Sequence, residues 1–218
     1  MDHDGIDYVS PDDDLVQRLM QQILDSENGD VGLKLLPFVD EPGIAYNYRV
    51  TFEDGTGEVI REDMIPVYVD AYHQDPRQRM GQRIVQGDSI KGSPDADRVR
   101  SLIQSQDQLQ TAADRYISQQ VTSLREELHE RRREETQQEL DDLEEYAEAE
   151  RQRIEEFIED YERKAEAGSN MDIAIRGQQE RLNKLEQRIA DRRTELTRKA
   201  QVISLAPEVE NLCLVLPV

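Results

Sequence analysis

Between Asp97 and Gln201 Glu, Arg, Gln and Asp are the dominant residues, interrupted by a thin series of apolar residues. Leu143, Ala147, Ile154, Phe157, Tyr161 and Ala165 follow one another in steps of three, four or seven. That spacing puts them on one narrow helical stripe, the pattern of a coiled-coil seam. After Ala167-Gly168-Ser169-Asn170 the pattern resumes at Ile175, Leu182, Leu185, Ile189, Leu196 and Ile203. A stripe this thin is buried only against another helix, and a short turn makes consecutive helices antiparallel neighbours. The spacing therefore predicts a helical hairpin over residues 97–203, with Ile154, Phe157 and Tyr161 facing Leu182, Leu185 and Ile189. Charge favours the same pairing. From Glu139 to Glu162 twelve acidic residues face two arginines, a net of −10, while Met171–Ala200 has eight basic and five acidic residues, a net of +3. Opposite flanking charges select this register.

The first arm runs for about 70 residues, on the order of 100 Å as an unbroken helix, and the second is far shorter. The early stripe (Leu102, Leu109, Tyr116, Ile117, Leu124, Leu128) must then rest on the rest of the molecule or on another chain. The oligomeric state stays open.

Residues 1–72 read as a small α+β module. Ser10-Pro11-Asp12-Asp13-Asp14 is a helix start, with a capping hydroxyl, a first-turn proline and acids at the positive end of the dipole. Leu15 to Leu24 continues it to about Ser26. Ile44, Tyr46, Tyr48, Val50 and Phe52 then alternate with polar or small residues, the period of a half-buried strand. Asp54-Gly55-Thr56-Gly57 is a hairpin turn. Glu58–Met64 returns, Val67–Val69 adds a short strand after Pro66, and Leu33–Phe38 makes another. The expected fold is thus α+β: a small antiparallel sheet with one helix, followed by the coiled-coil hairpin. Residues 73–96 read as a polar linker ending in a helix cap at Ser93-Pro94-Asp95-Ala96. Residues 204–218 read as a strand-like tail, with Leu212–Leu216 able to return to the sheet.

The formal net charge is −21, from 48 acidic and 27 basic residues. Five of the basic residues are Lys (Lys34, Lys91, Lys164, Lys184, Lys199), which leaves 22 Arg. Such self-repulsion is tolerable where salt screens it, and at ~1 M the screening length is only ~3 Å. The composition points to a protein of a salt-accumulating halophile. No apolar run approaches the ~18 residues of a membrane helix. Met1-Asp2-His3-Asp4 lacks the basic and apolar regions of a signal peptide. Both observations predict a cytoplasmic chain without a membrane partner.

Little in the sequence suggests catalysis. No phosphate-cradling Gly-x-x-x-x-Gly-Lys-Ser/Thr loop, His-Glu-x-x-His pair or Gly-x-Ser-x-Gly elbow is present. The three histidines lie far apart, and Cys213 is the only cysteine. Asp2, Asp4 and Asp7 miss the spacing of a calcium loop. The expectation is no enzymatic activity, no cofactor and no metal. Arg131, Arg132 and Arg133 are the candidate nucleic-acid contact, since adjacent arginines on a helix reach phosphates. Glu130, Glu134 and Glu135 beside them favour a solvated face.

The order of elements also carries a resemblance. A capped helix with Leu15-Val16-Gln17 is followed by Tyr48-Arg49-Val50-Thr51-Phe52-Glu53-Asp54-Gly55 and by Pro66-Val67-Tyr68-Val69-Asp70. Then come an acidic, arginine-rich helix and Ala165-Glu166-Ala167-Gly168-Ser169-Asn170-Met171-Asp172-Ile173-Ala174-Ile175-Arg176. This resembles the region after the ATPase lobes in large prokaryotic Swi/Snf-type helicases, of the RNA-polymerase-associated or DISARM kind. Asp13-Asp14 stand where those proteins often have His-Pro. The resemblance implies a non-catalytic accessory module that meets helicase ATPase lobes, with DNA reached through that partner. The alternative is a free-standing coiled-coil scaffold that binds another protein.

Overall fold

A computed structural model of the chain describes residues 31–92 and 94–218. The helix expected over Ser10–Ser26 lies outside them. The described residues are α+β, with a mixed sheet of six strands and four helices, one of them long. The described residues up to Phe52, with Ile60–Leu124 and Ser204–Val218, form one compact unit. Glu53–Val59 and Arg125–Ile203 form a second.

The first unit is built on the sheet. Its strands are β1 (Val31–Leu35), β2 (Gly43–Glu53), β3 (Val59–Asp70), β4 (Pro76–Arg77), β5 (Ile203–Ser204) and β6 (Glu208–Leu216). The order is β1-β6-β2-β3-β4, with β5 also paired to β2. The predicted alternation holds in β2, where Ile44, Tyr46, Tyr48, Val50 and Phe52 are almost fully buried. The sheet is not purely antiparallel, however. β6 lies between β1 and β2, parallel to the first (Leu33 beside Leu214) and antiparallel to the second (Ile44 beside Leu214). A parallel pair needs a long crossover, and here everything between β1 and β6 supplies it. The segment expected as a tail is thus an interior strand, and Leu212, Leu214, Val215 and Leu216 are buried.

Two further details differ from expectation. β3 passes through Pro66 without a break. Its neighbour β4 pairs only with Tyr68 and Val69, so Pro66 needs no ladder donor on that side. Within the supposed linker stands a helix, α1 (Gln78–Gln86). Its Ile84 joins Leu36, Val39, Ala45, Tyr68 and Val215 in one core cluster. The Lys34 ammonium stops it from outside, donating to the carbonyls of Ile84 at 2.8 Å and Gly87 at 2.9 Å, where a cation meets the negative end of the dipole.

The first arm is two helices, α2 (Ala96–Gln104) and α3 (Gln106–Glu166), separated at Ser105. Within the stretch expected to cap this arm, Asp95 is the residue that caps α2, accepting from the amides of Asp97 and Arg98. The early stripe as far as Leu124 belongs to the first unit, where Leu102, Leu109, Ala113, Ile117 and Val121 are buried. The Tyr48 hydroxyl donates to Asp114 at 2.6 Å, and the Tyr46 hydroxyl to the Gln106 carbonyl at 3.2 Å. At 61 residues α3 is about 90 Å long.

In the second unit, α3 ends in a Schellman motif. Ser169 donates to the Lys164 carbonyl and Gly168 to the Ala165 carbonyl, with Gly168 at φ +95°, a conformation that suits glycine. α4 (Asp172–Lys199) then packs back on α3. Ala147, Ile154, Leu185 and Ile189 form a buried cluster flanked by Leu143, Ile158 and Leu182. Arg151 reaches Glu186 at 2.5 Å, Arg181 reaches Glu150, Arg192 reaches Glu139, and Arg193 pairs with Glu144. Glu139 and Glu144, earlier on α3, reach positions 192 and 193, late on α4, while Glu150 and Arg151 reach positions 181 and 186, as antiparallel neighbours require. These pairs centre slightly before Ser169, so the register is offset from the symmetric one. Ile158, rather than Phe157, packs against the cluster. α4 also stops at Lys199, which leaves Ile203 in β5 and exposed.

Candidate functional site

The six seam residues expected from sequence separate into two groups. Ile154, Leu182, Leu185 and Ile189 meet in the cluster. Phe157 is 39% exposed and stacks on half-buried Tyr161, ring centroids 6.4 Å apart, outside that cluster.

The arginine triplet is engaged by acids of its own unit. Arg131 lies 3.8 Å from Glu127 and Arg133 4.0 Å from Glu130. Arg132 is drawn inward to Asp54, 3.7 Å away. Asp54 is 1% exposed, at the start of the Asp-Gly-Thr-Gly turn. Its Oδ1 accepts from the Thr56 amide (2.7 Å), the Thr56 hydroxyl (2.5 Å) and the Glu58 amide (3.2 Å). The Thr56 hydroxyl bond does most to hold the Asp54 carboxyl below its ordinary 3.8, against burial, with the Thr56 and Glu58 amides and Arg132 adding to it. The turn also docks on the end of α4. The Gly55 amide donates to the Arg198 carbonyl at 3.0 Å, and the Arg198 guanidinium donates back to the Gly55 carbonyl. A Cβ at Gly55 would lie 2.6 Å from that Arg198 oxygen, which explains glycine there. Of the three arginines only Arg131 and Arg133 present outward-facing charge, each beside a glutamate.

Sequence spacing missed a cluster in the first unit. Asp70, the last residue of β3, is fully buried. Its Oδ1 accepts from the amides of Tyr72 at 3.1 Å and His73 at 2.6 Å, while Arg77 stands 3.4 Å from Oδ2. The His73 ring nitrogen Nδ1 lies 3.2 Å from that Asp70 oxygen and 3.2 Å from Glu41. Burial opposes the Asp70 charge, but the His73 and Asp75 amides and Arg77 outweigh it and hold this carboxyl below its ordinary value. The hydrogen bond to Glu41, reinforced by its charge and by Asp70, raises His73 above 6.5. The local signal was Asp-x-x-His at positions 70 and 73. Glu41 is far away in sequence and arrives through the β1–β2 connection, whose Pro42 carbonyl accepts from the Ala71 amide.

One ligand atom from each of Glu41, Asp70 and His73 lies within 4.8 Å of the others. Spacings near 3.2 Å are those of neighbouring ligands around a cation with ~2.1 Å bonds, so these are the residues that could hold one. They are equally those of an imidazolium bonded to two carboxylates. The Arg77 charge and the amides already on Asp70 favour the second arrangement. His73 then stays protonated to higher pH than an ordinary histidine and ties two loops together.

No family model, curated protein or solved structure matches the chain. What this protein does must therefore be argued from its own residues.

Proposed function

We propose that the chain is a non-catalytic accessory module of a Swi/Snf-type DNA-dependent ATPase. Its α3 and α4 form a coiled-coil hairpin that makes protein contacts, and DNA is reached through the ATPase partner. The observation that carries this reading is the pairing of α4 on α3 by a narrow apolar cluster edged with ion pairs across the helices. Such an element presents a long charged surface while burying only a stripe, which suits contact more than chemistry. The order of strand, turn and helix motifs given above supplies the family in the proposal. The arginine triplet supports DNA contact through the partner, since Arg132 is committed to Asp54.

The test is association with a Swi/Snf-type ATPase core encoded beside this chain. Co-elution of the two purified proteins, with altered DNA-stimulated ATP hydrolysis, is the expected result. Arg131→Ala with Arg133→Ala should leave DNA affinity of the assembly within about twofold, since exposed pairs of this kind contribute little. Absence of association, with unrelated neighbouring reading frames, would point instead to a free-standing scaffold.

A further inference from the structure

The end of α4 carries no stop signal of its own. From Ala200 to Ala206 the sequence has neither glycine nor asparagine, and the next proline is Pro207. Ala200 keeps helical angles, φ −70° and ψ −20°. The apolar stripe also continues, since Ile203 follows Leu196 and Ile189 at steps of seven. Pro207 disfavours helical angles at Ala206, so local rules carry the helix on to about Leu205. Yet α4 stops at Lys199, and Ile203–Ser204 form β5 beside β2, with the Leu205 amide on the Thr51 carbonyl. In a continued helix the Arg198 carbonyl would take the amide of Val202, four residues on. Here it takes the amides of Gln201 at 3.1 Å and Gly55 at 3.0 Å. The Arg198 guanidinium returns a bond to the Gly55 carbonyl at 3.2 Å. The strand formed in place of helix is two residues long and leaves Ile203 47% and Leu205 41% exposed.

We propose that residues 200–205 are a helix–strand switch and that Gly55 is its latch. With the Asp54–Gly57 turn seated, the Gly55 amide occupies the Arg198 carbonyl, α4 ends and β5 forms. With the turn displaced, that carbonyl accepts from Val202, and the amides of Ile203, Ser204 and Leu205 follow onto Lys199, Ala200 and Gln201. The helix then gains about six residues, or ~9 Å, and intrahelical bonds replace the short pairing with β2. The β-branched Val202 and Ile203 weigh on the side of the strand. The seven-residue stripe and the absence of a breaker weigh on the side of the helix. Two packings of one segment held this close are what a switch requires. The device acts on the length of α4 whatever partner the hairpin meets, so it stands apart from the ATPase reading.

The experiment uses the full chain, isotopically labelled, and reads backbone carbon shifts and amide exchange at residues 200–205 by nuclear magnetic resonance. Gly55→Ala is the test variant. A Cβ there would lie 2.6 Å from the Arg198 carbonyl oxygen and 2.5 Å from Gln201 Oε1, so it pushes the turn off α4. The unaltered chain should give extended shifts at Ile203 and Ser204. In Gly55→Ala the shifts from Val202 to Leu205 should turn helical, and exchange of the Val202 amide should slow at least tenfold. Shifts that stay extended or turn to coil in a folded Gly55→Ala chain would overturn the proposal, because the stop would then lie within the segment itself. If Gly55→Ala does not fold, Val202→Ala with Ile203→Ala decides, since it leaves the turn intact and favours helix. Helical shifts in that variant support the switch, and extended or coil shifts overturn it.

Discussion

His73 and Asp54 are the residues whose chemistry the fold changes most legibly. His73 is raised by Glu41 and Asp70, so its folded value lies above its unfolded one. The stability it contributes is fully present below pH ~6.5 and is lost as pH rises through the folded value. Nuclear magnetic resonance of the imidazole should show titration above that of a free histidine. Glu41→Gln should bring it back down, whereas an unchanged midpoint would break the proposed tie. Asp54 has the opposite sign. Its carboxyl is held low, so its contribution is present above pH ~4 and lost as pH falls through the folded value. Asp54→Asn keeps an acceptor for Thr56 but removes the charge facing Arg132. Denaturant melts at pH 7 should show a loss of about 1–3 kcal/mol, which shrinks as pH falls below ~4 through the folded value. A loss unchanged on acidification would assign the effect to shape rather than charge.

Among the elements, those with a local cause were legible and those with a remote cause were not. The alternation of Ile44 to Phe52, the Asp54–Gly57 turn, the cap within residues 93–96 and the glycine stop at Gly168 each act within a few residues, and each was read correctly. α1 was missed because its fastening is tertiary: Lys34 from β1 caps its carbonyls, and its Ile84 is buried among residues from four other segments. The parallel pairing of β1 with β6 joins Leu33 to Leu214, a partnership no local period encodes. The Glu41–Asp70–His73 cluster escaped for the same reason. In the seam, periodicity located the stripe but not its rotation. Heptad spacing admits both Phe157 and Ile158, and the packing takes Ile158. Truncation separates them. Leu185→Ala should cost about 2–5 kcal/mol, as buried leucines do, and Phe157→Ala under about 1 kcal/mol. Equal losses in thermal or chemical melts would put Phe157 back in the seam.

At the scale of the whole molecule, charge and connectivity set the behaviour. With 48 acidic and 27 basic residues, repulsion should weaken folding in dilute buffer and fade in molar salt. Circular dichroism across a salt series should show melting temperature rising with salt, and full stability in dilute buffer would remove the halophilic reading. Among the described residues no helix is long and apolar enough to cross a membrane. The account turns above all on α4 folding back on the α3 of its own chain. With Cys213→Ser as background, cysteines at positions 151 and 186, where an Arg–Glu pair joins the helices, should be linked within one chain by a short bismaleimide. The product should run as a monomer at every protein concentration. Linkage found only between chains would mean that the helices pair between molecules and that the hairpin is not a unit of this fold.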